Sequence, residues 1–449
     1  KAVTHALTSA PEIGELIENA KASPYNLNKW QQANLYEMAR QWAKATVVPE
    51  KLVLALSKAC STCETAWRNA RPEADYASVK PLLQDVLDLT RETAKIKAEA
   101  LELSLYDALL DDYEPGARNA DIEKVFQEIG SFLPDIIEDA LAVQSTRPEP
   151  VMPEGPFPIV VQKNLGEHFM KALGFDFSYG RLDVSLHPFC GGTPDDVRIT
   201  TRYDAASFTS SLMGIFHETG HAMYERGLPS RWRHQPVGDA LGMSMHESQS
   251  LLIEMQVCRS RPFFHWAAPI LRNAFKGHGP TWAAENLYRL HTHVKPDFIR
   301  VDADEITYPA HVILRHRLER ALLAEDLSLA DLPTAWNDLM KELLGILPPS
   351  DREGCLQDVH WYDGAWGYFP TYTLGAITAA QLYSSALKND PKIKTGIRKG
   401  NFAPLMSWLQ NHVHCYGRLM SASELLVKVT GRPLDPKVFK DHLKERYLS

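Results

Sequence analysis

The sequence predicts a mainly α fold with one small antiparallel β-sheet. Two observations lead there. Apolar residues recur at helical spacing through most of the chain, and only 181–203 is short, alternating and β-branched. No internal repeat or low-complexity tract breaks the pattern. The 449 residues are 45% hydrophobic, ample for a large buried core. Length alone favours about three domains. No linker supports that division, so a single domain over 1–449 is expected, its first 145 residues mostly helical.

The elements follow in order. Leu27 and Asn28 lead into Trp30, Leu35, Met38, Ala39 and Trp42, an amphipathic helix. Ranges 50–67 and 79–103 continue it, the second with Leu82, Leu83, Val86, Leu87 and Leu89 on its apolar side. Residues 106–116 close that run in a turn at Pro115-Gly116. A helix covers 122–143. The proline-rich stretch 147–158 reads as extended chain rather than a disordered linker. A helix over 162–173 precedes two strands, 181–186 and 197–203, with Gly191-Gly192-Thr193-Pro194-Asp195 between them. Helices return at 246–258, 284–294, 306–323, 336–344 and 373–387.

Directly after the strands comes Gly214-Ile215-Phe216-His217-Glu218-Thr219-Gly220-His221-Ala222-Met223. Residues four apart share a helix face. His217 and His221 can therefore hold one divalent ion, with Glu218 beside it as a general base. The apolar flanks Ile215, Phe216, Ala222 and Met223 place this helix inside the protein. Such a pair points to metal-assisted hydrolysis of a peptide bond. A catalytic zinc usually takes a third protein ligand. Glu247, 26 residues after His221, begins a following helix in His246-Glu247-Ser248-Gln249-Ser250, and the loop 227–242 gives room for the return. Glu254 and Asp239 compete with it on spacing alone.

Composition excludes several classes. The net charge of −8 includes no basic footprint for nucleic acid. No apolar run approaches the roughly 20 residues of a membrane span, and no secretory signal is visible. The chain opens at Lys1 without Met, which leaves open whether a segment precedes it. Six cysteines show no disulfide framework, which predicts reduced thiols and a cytoplasmic protein. Cys60-Ser-Thr-Cys63 has neither a second pair nor a βαβ setting, and reads as structural.

Taken together, His217-Glu218-Thr219-Gly220-His221 and His246-Glu247-Ser248-Gln249-Ser250 resemble the carboxypeptidase Taq family of metallocarboxypeptidases. Further blocks carry the likeness in the family's order: Tyr106 to Gly116, His187-Pro188-Phe189, Asp196-Val197-Arg198-Ile199-Thr200, Ile299-Arg300-Val301-Asp302-Ala303-Asp304, and Gly354-Cys355-Leu356-Gln357-Asp358-Val359-His360-Trp361. The resemblance implies a helical, two-lobed zincin with a deep central groove, residues 1–145 forming part of its wall or lid and 146–449 the metal-site region. It implies a homodimer that removes single residues from peptides with a free C-terminal carboxylate.

The resemblance also assigns residues. His217, His221 and Glu247 become the ligands of one divalent ion per subunit. Zinc is the default for such a set, with cobalt or manganese as substitutes. Glu218 becomes the base. His187 is implied over the substrate carbonyl, as in the broader fold group that includes angiotensin-converting enzyme; otherwise it caps a strand before Pro188. Arg300 is the candidate for the substrate carboxylate, which a guanidinium binds bidentately; Arg198 is a second, and Arg300 pairing with Asp302 or Asp304 is the structural alternative. His360, Tyr372 and Tyr368 form an aromatic cluster in which a tyrosine hydroxyl can stabilise an oxyanion. Asp196, Thr200, Gln357 and Asp358 read as scaffold, and the tryptophans as core. The rival readings are a zincin oligoendopeptidase or dipeptidyl carboxypeptidase and, from another class, a non-enzymatic helical scaffold with a vestigial metal site.

Overall fold

Several helices begin where a short polar side chain offers a cap. Asn28 accepts from the Gln31 amide at 3.1 Å while the Gln31 side chain accepts from the Asn28 amide at 3.0 Å, a reciprocal box that opens Lys29–Val47. Asp75 caps Tyr76–Leu101 by accepting from Ser78. The structure, a computed structural model, describes residues 2–24, 26–185 and 187–449. It is 65% helix and 4% strand, the mainly α class that the periodicity predicts. The chain divides into two units, each discontinuous in sequence: Lys1–Ile137 with Lys295–Thr373, and Glu138–Val294 with Leu374–Ser449.

In the first unit, helix Tyr76–Leu101 buries Val79, Leu83, Val86 and Leu87, a stripe at the expected spacing. Leu82 and Leu89 flank it and stay partly exposed. Indole and phenol donors tie the early helices to the late segment. Trp67 Nε1 donates to the Leu356 carbonyl at 2.8 Å, and the Tyr76 hydroxyl to the Leu329 carbonyl at 2.8 Å. Glu319, on helix Tyr308–Leu323, is fully buried and accepts from Tyr106, Trp361 and the Gly367 amide. Burial pushes its carboxyl up to about 7 despite those donors. Cys60 and Cys63 are buried thiols on helix Glu50–Ala70.

In the second unit, the proline-rich connector is ordered extended chain. Val151 exchanges hydrogen bonds with the Asn286 side chain at 2.9 and 2.8 Å, and Phe157 is buried among Phe208, Phe275 and Trp282. Helix Thr209–Gly227 carries the His-Glu-x-x-His motif. Its Phe216 and Tyr224 enter a large aromatic core, while Ile215 and Ala222 pack on a small sheet through Leu182, Val197 and Ile199. Burying a side chain such as Phe216 contributes about 2–3 kcal/mol.

That sheet corrects the sequence reading. Its strands are β1 (Gly180–Val184), β2 (Phe189–Thr193) and β3 (Asp196–Thr201), in the order β1-β3-β2. The two strands read from the sequence, β1 and β3, pair in parallel, not antiparallel. Gly191-Gly192-Thr193, read as the turn, is instead part of β2, which pairs antiparallel with β3. The chain reverses twice, once on each side of β2, so β3 returns in the direction of β1. Gly192, at φ +98°, permits the sharp second reversal: a Cβ there would lie 2.1 Å from the Asp196 carbonyl oxygen. Leu186, placed in the first strand by the sequence reading, lies outside the described residues.

The buried stripe gives a direct test. Leu83→Ala should destabilise by about 2–5 kcal/mol, whereas Leu16→Ala, at a largely exposed position, should change stability by less than about 0.5 kcal/mol. Denaturant unfolding of the two variants measures both, and equal losses would contradict this burial.

Candidate metal centre

The metal helix sets His217 and His221 four residues apart, and their Nε2 atoms lie 3.6 and 3.4 Å from one oxygen of Glu247. Among the described residues, these three side chains offer ligand atoms within 4.8 Å of one another. Two imidazoles and a carboxylate are the donor set of a catalytic zinc-type site, which leaves a fourth position for water. Glu254 and Asp239, the competitors on spacing, are not in this group.

Glu247 reaches the site from the next helix, Met243–Leu251, at a close crossing. Gly220, inside the motif, allows it: a Cβ there would lie 2.4 Å from the Gln249 carbonyl oxygen and 2.5 Å from Ser250 Cα. Gly375 makes room on the other side, since its Cβ would lie 2.8 Å from Glu247 Cβ and Cγ. Ser250 donates to Glu247 at 3.2 Å.

The far sides of both imidazoles are also held. His217 Nδ1 lies 3.0 Å from Glu254, whose other oxygen accepts from Arg259 at 2.6 Å. Glu254 sits in a π-helical stretch, Leu252–Cys258, that continues the Glu247 helix; such wide turns frequently mark functional sites. His221 Nδ1 lies 2.6 Å from His246 Nδ1, and His246 Nε2 lies 2.8 Å from Glu225. Spacing made Glu254 a rival ligand; the structure makes it the partner behind one. Neither spacing nor composition singled out Arg259 or Glu225.

Electrostatics follow from burial and crowding. Burial pushes the Glu218 carboxyl up to about 7, against the attraction of His217. Burial would lower His217, but Glu247, Glu254 and Glu218 outweigh it and carry the imidazole up to about 10. Burial takes His221 down to about 4 despite Glu247. Burial would raise Glu247, yet His217, His221 and Ser250 hold it down at about 2, a permanent carboxylate. His217 must shed its proton to serve as a ligand.

His187 is exposed in the loop between β1 and β2, and its carbonyl accepts from the Ser185 hydroxyl. Its neighbour Pro188 packs toward the metal helix: a Cβ on Gly214 would meet Pro188 Cγ at 3.8 Å. Cys190 on β2 is close enough to Glu218 for that carboxylate to raise its thiol, after burial. Arg198 on β3 is mostly exposed and forks onto Asp196 at 2.7–3.3 Å.

Arg300, His360, Tyr368 and Tyr372 all belong to the first unit. Arg300 is buried, and its Nε and Nη2 both donate to Asp358, at 3.1 and 2.8 Å. Nη1 donates to the Tyr308 hydroxyl at 3.3 Å, and the guanidinium lies 4.6 Å from the Tyr372 ring centre. Arg315 donates to the other Asp358 oxygen at 2.6 Å, so two arginines share one carboxylate. They hold Asp358 far below the usual carboxylate range, outweighing its burial. Gln357 accepts from the Arg300 amide at 2.9 Å, the scaffold role read from the sequence. His360 Nε2 lies 2.9 Å from the Tyr372 hydroxyl, and burial, helped by both arginines, drops its imidazole to about 3, so it is neutral. Tyr368 packs edge-on against Tyr113 and beside Tyr372.

The family model for the carboxypeptidase Taq (M32) metallopeptidase matches residues 1–447. The chain belongs to the carboxypeptidase Taq (M32) metallopeptidase family. Thermostable carboxypeptidase 1 of Thermus thermophilus is 36% identical, over 99% of this chain and 88% of the relative. Among solved structures, Trypanosoma cruzi metallocarboxypeptidase 1 matches with TM-score 0.96 and 39% identity, over 99% of this chain and 90% of that one. Pyrococcus furiosus carboxypeptidase matches with TM-score 0.93 and 34% identity, over 99% and 89%. This M32 chain is thus a metallocarboxypeptidase, a peptide hydrolase that uses a divalent metal. No helix among the described residues is long and apolar enough to cross a membrane.

Two substitutions probe these arrangements. Gly220→Ala should force the crossing helices apart, at about 1–3 kcal/mol, and weaken metal binding by displacing Glu247. Chelator competition measures this, and unchanged affinity would remove Gly220 from the account. Asp358→Asn should cost about 3–5 kcal/mol at neutral pH by stranding buried arginines. Because the folded carboxyl titrates below its unfolded value of about 3.9, its contribution is full above that pH and fades as pH falls below it. Wild-type stability should therefore drop toward the variant's on acidification. A constant gap between them down to about pH 2, below that unfolded value, would contradict the shift.

Proposed function

We propose that this M32 carboxypeptidase releases single residues from free peptide C-termini, using one zinc ion held by His217, His221 and Glu247. The convergence of both Nε2 atoms on Glu247, with Glu218 adjacent in sequence and buried, carries this reading. A bound divalent ion would polarise the scissile carbonyl and make water acidic near neutral pH. Glu218 takes the proton of the attacking water and delivers it to the departing amine. Its raised carboxyl, near the working pH, suits both halves of that exchange.

The remaining roles are assigned on chemistry. Tyr372, bonded to neutral His360, is the donor for the oxyanion, with Tyr368 as the alternative. His187 is assigned to the substrate carbonyl, supported by the packing of Pro188 toward the metal helix. Arg300 supplies positive charge for the terminal carboxylate. Its fork is engaged by Asp358, which supports a held charge more than a fresh bidentate clamp. Arg198, exposed on β3, is the second candidate. Homodimer assembly and a cytoplasmic location complete the proposal; light scattering tests the first. Metal analysis against cobalt and manganese tests the choice of zinc.

Exchanging Glu218 for Gln should abolish turnover while metal stays bound, by plasma emission analysis; robust activity would sink the assignment. Mass spectrometry of products from matched free and amidated peptides tests the register. Only free termini should be trimmed, one residue at a time. Equal cleavage of amidated peptides would favour an oligoendopeptidase, and release of dipeptides a dipeptidyl carboxypeptidase.

A further inference from the structure

We infer that His246 and Glu225 are positioning residues: they fix the proton of His221 on Nδ1 and so keep its Nε2 bare toward the metal site. The inference rests on the reading of His217, His221 and Glu247 as the metal set. It starts from a contact that admits few proton arrangements. His221 Nδ1 and His246 Nδ1 are 2.6 Å apart, so one must donate and the other accept. On the opposite edge of the same ring, His246 Nε2 lies 2.8 Å from a Glu225 oxygen, and a carboxylate only accepts. A neutral His246 therefore carries its proton on Nε2, its Nδ1 is a bare acceptor, and the shared proton belongs to His221. In a neutral His246 the reverse arrangement would aim a bare nitrogen at a carboxylate; in a doubly protonated His246 it would leave the His221 proton on Nε2, where it blocks a metal ion.

Glu247 is the rival for that proton, because it faces His221 Nε2. The distance there is 3.4 Å, beyond the ordinary N–H···O range, whereas the contact between the two Nδ1 atoms is short. The His246 ring is also set against the Tyr224 ring, centres 5.3 Å apart at 76°, and Tyr224 is fully buried. The acceptor is thus held in orientation as well as in protonation. Glu225 comes from the metal helix itself, four residues after His221, so His217, His221 and Glu225 stand at successive fourfold steps along one face. His246 is the residue before Glu247. One helix supplies two ligands and the last member of the chain of bonds; the other supplies the third ligand and the middle member.

Metal binding by the full-length protein tests this without reference to turnover. Apoprotein would be titrated with Zn²⁺ and Co²⁺ against a chromophoric chelator, alongside the visible spectrum of the Co²⁺ form. His246→Ala should weaken binding about 10–100-fold, the usual loss when a ligand histidine loses its orienting partner, and alter the cobalt spectrum. His246→Asn should recover most of the affinity, because its carbonyl oxygen can occupy the place of Nδ1 and accept the same proton. Glu225→Ala, at a partly exposed position, should weaken binding in the same direction and carries the test if His246→Ala does not fold. Unchanged affinity in His246→Ala and Glu225→Ala, or equal losses in His246→Ala and His246→Asn, would overturn the inference. Failure of the unmutated protein to bind either ion would sink the metal reading and this inference with it.

Discussion

Everything at the metal centre depends on how closely two helices cross. The motif helix alone offers two imidazoles, and the third ligand arrives only because Gly220 lets the Glu247 helix touch its backbone. Any side chain at Gly220 would meet a carbonyl oxygen and a Cα, neither of which can swing aside as a flexible side chain can. The second variable position of His-Glu-x-x-His is therefore not variable in this fold. Gly375 repeats the device behind Glu247, so the carboxylate is seated between two points of contact without a Cβ. The sheet serves the same end. By packing on Ile215 and Ala222, it fixes the opposite flank of the helix that bears the imidazoles.

Around this crossing, charge is arranged in layers. Each imidazole turns one nitrogen inward and hands the other to a partner, Glu254 backed by Arg259 for His217, and His246 backed by Glu225 for His221. Partners of this kind set ring orientation and ligand basicity. The first unit shows a related economy: Asp358 engages Arg300 with one oxygen and Arg315 with the other. The Asp358 cluster is buried, as are Glu247 and Glu254 of the metal cluster, and there an unmatched charge is expensive.

Much of this was legible in the sequence, for identifiable reasons. Helical periodicity is a local signal, and it located the stripe on Tyr76–Leu101 and the capped start after Asn28. The ligand histidines were legible because four-residue spacing has one geometric meaning. Sheet pairing was not legible: alternation marks β1 and β3 as strands, but says nothing of direction, and the glycines of β2 resemble a turn. Glu247 and Glu254 could not be separated by spacing, since seven residues apart they occupy nearly the same side of a helix. The partner of Arg300 was likewise hidden, because Asp358 lies 58 residues away while Asp302 and Asp304 are near in sequence.

The discontinuous make-up of the first unit has a consequence for how the protein is born. A ribosome delivers the chain N-terminus first. Trp67 and Tyr76 emerge long before Leu356 and Leu329, the carbonyls to which they donate. Meanwhile the ligand helices, 209–227 and 243–251, have already left the tunnel. The indole of Trp67 and the phenol of Tyr76 must therefore wait for their acceptors until residues 295–373 are made. Joining Trp67 to Leu356 closes a loop of 289 residues, at an entropic cost that grows only slowly with length.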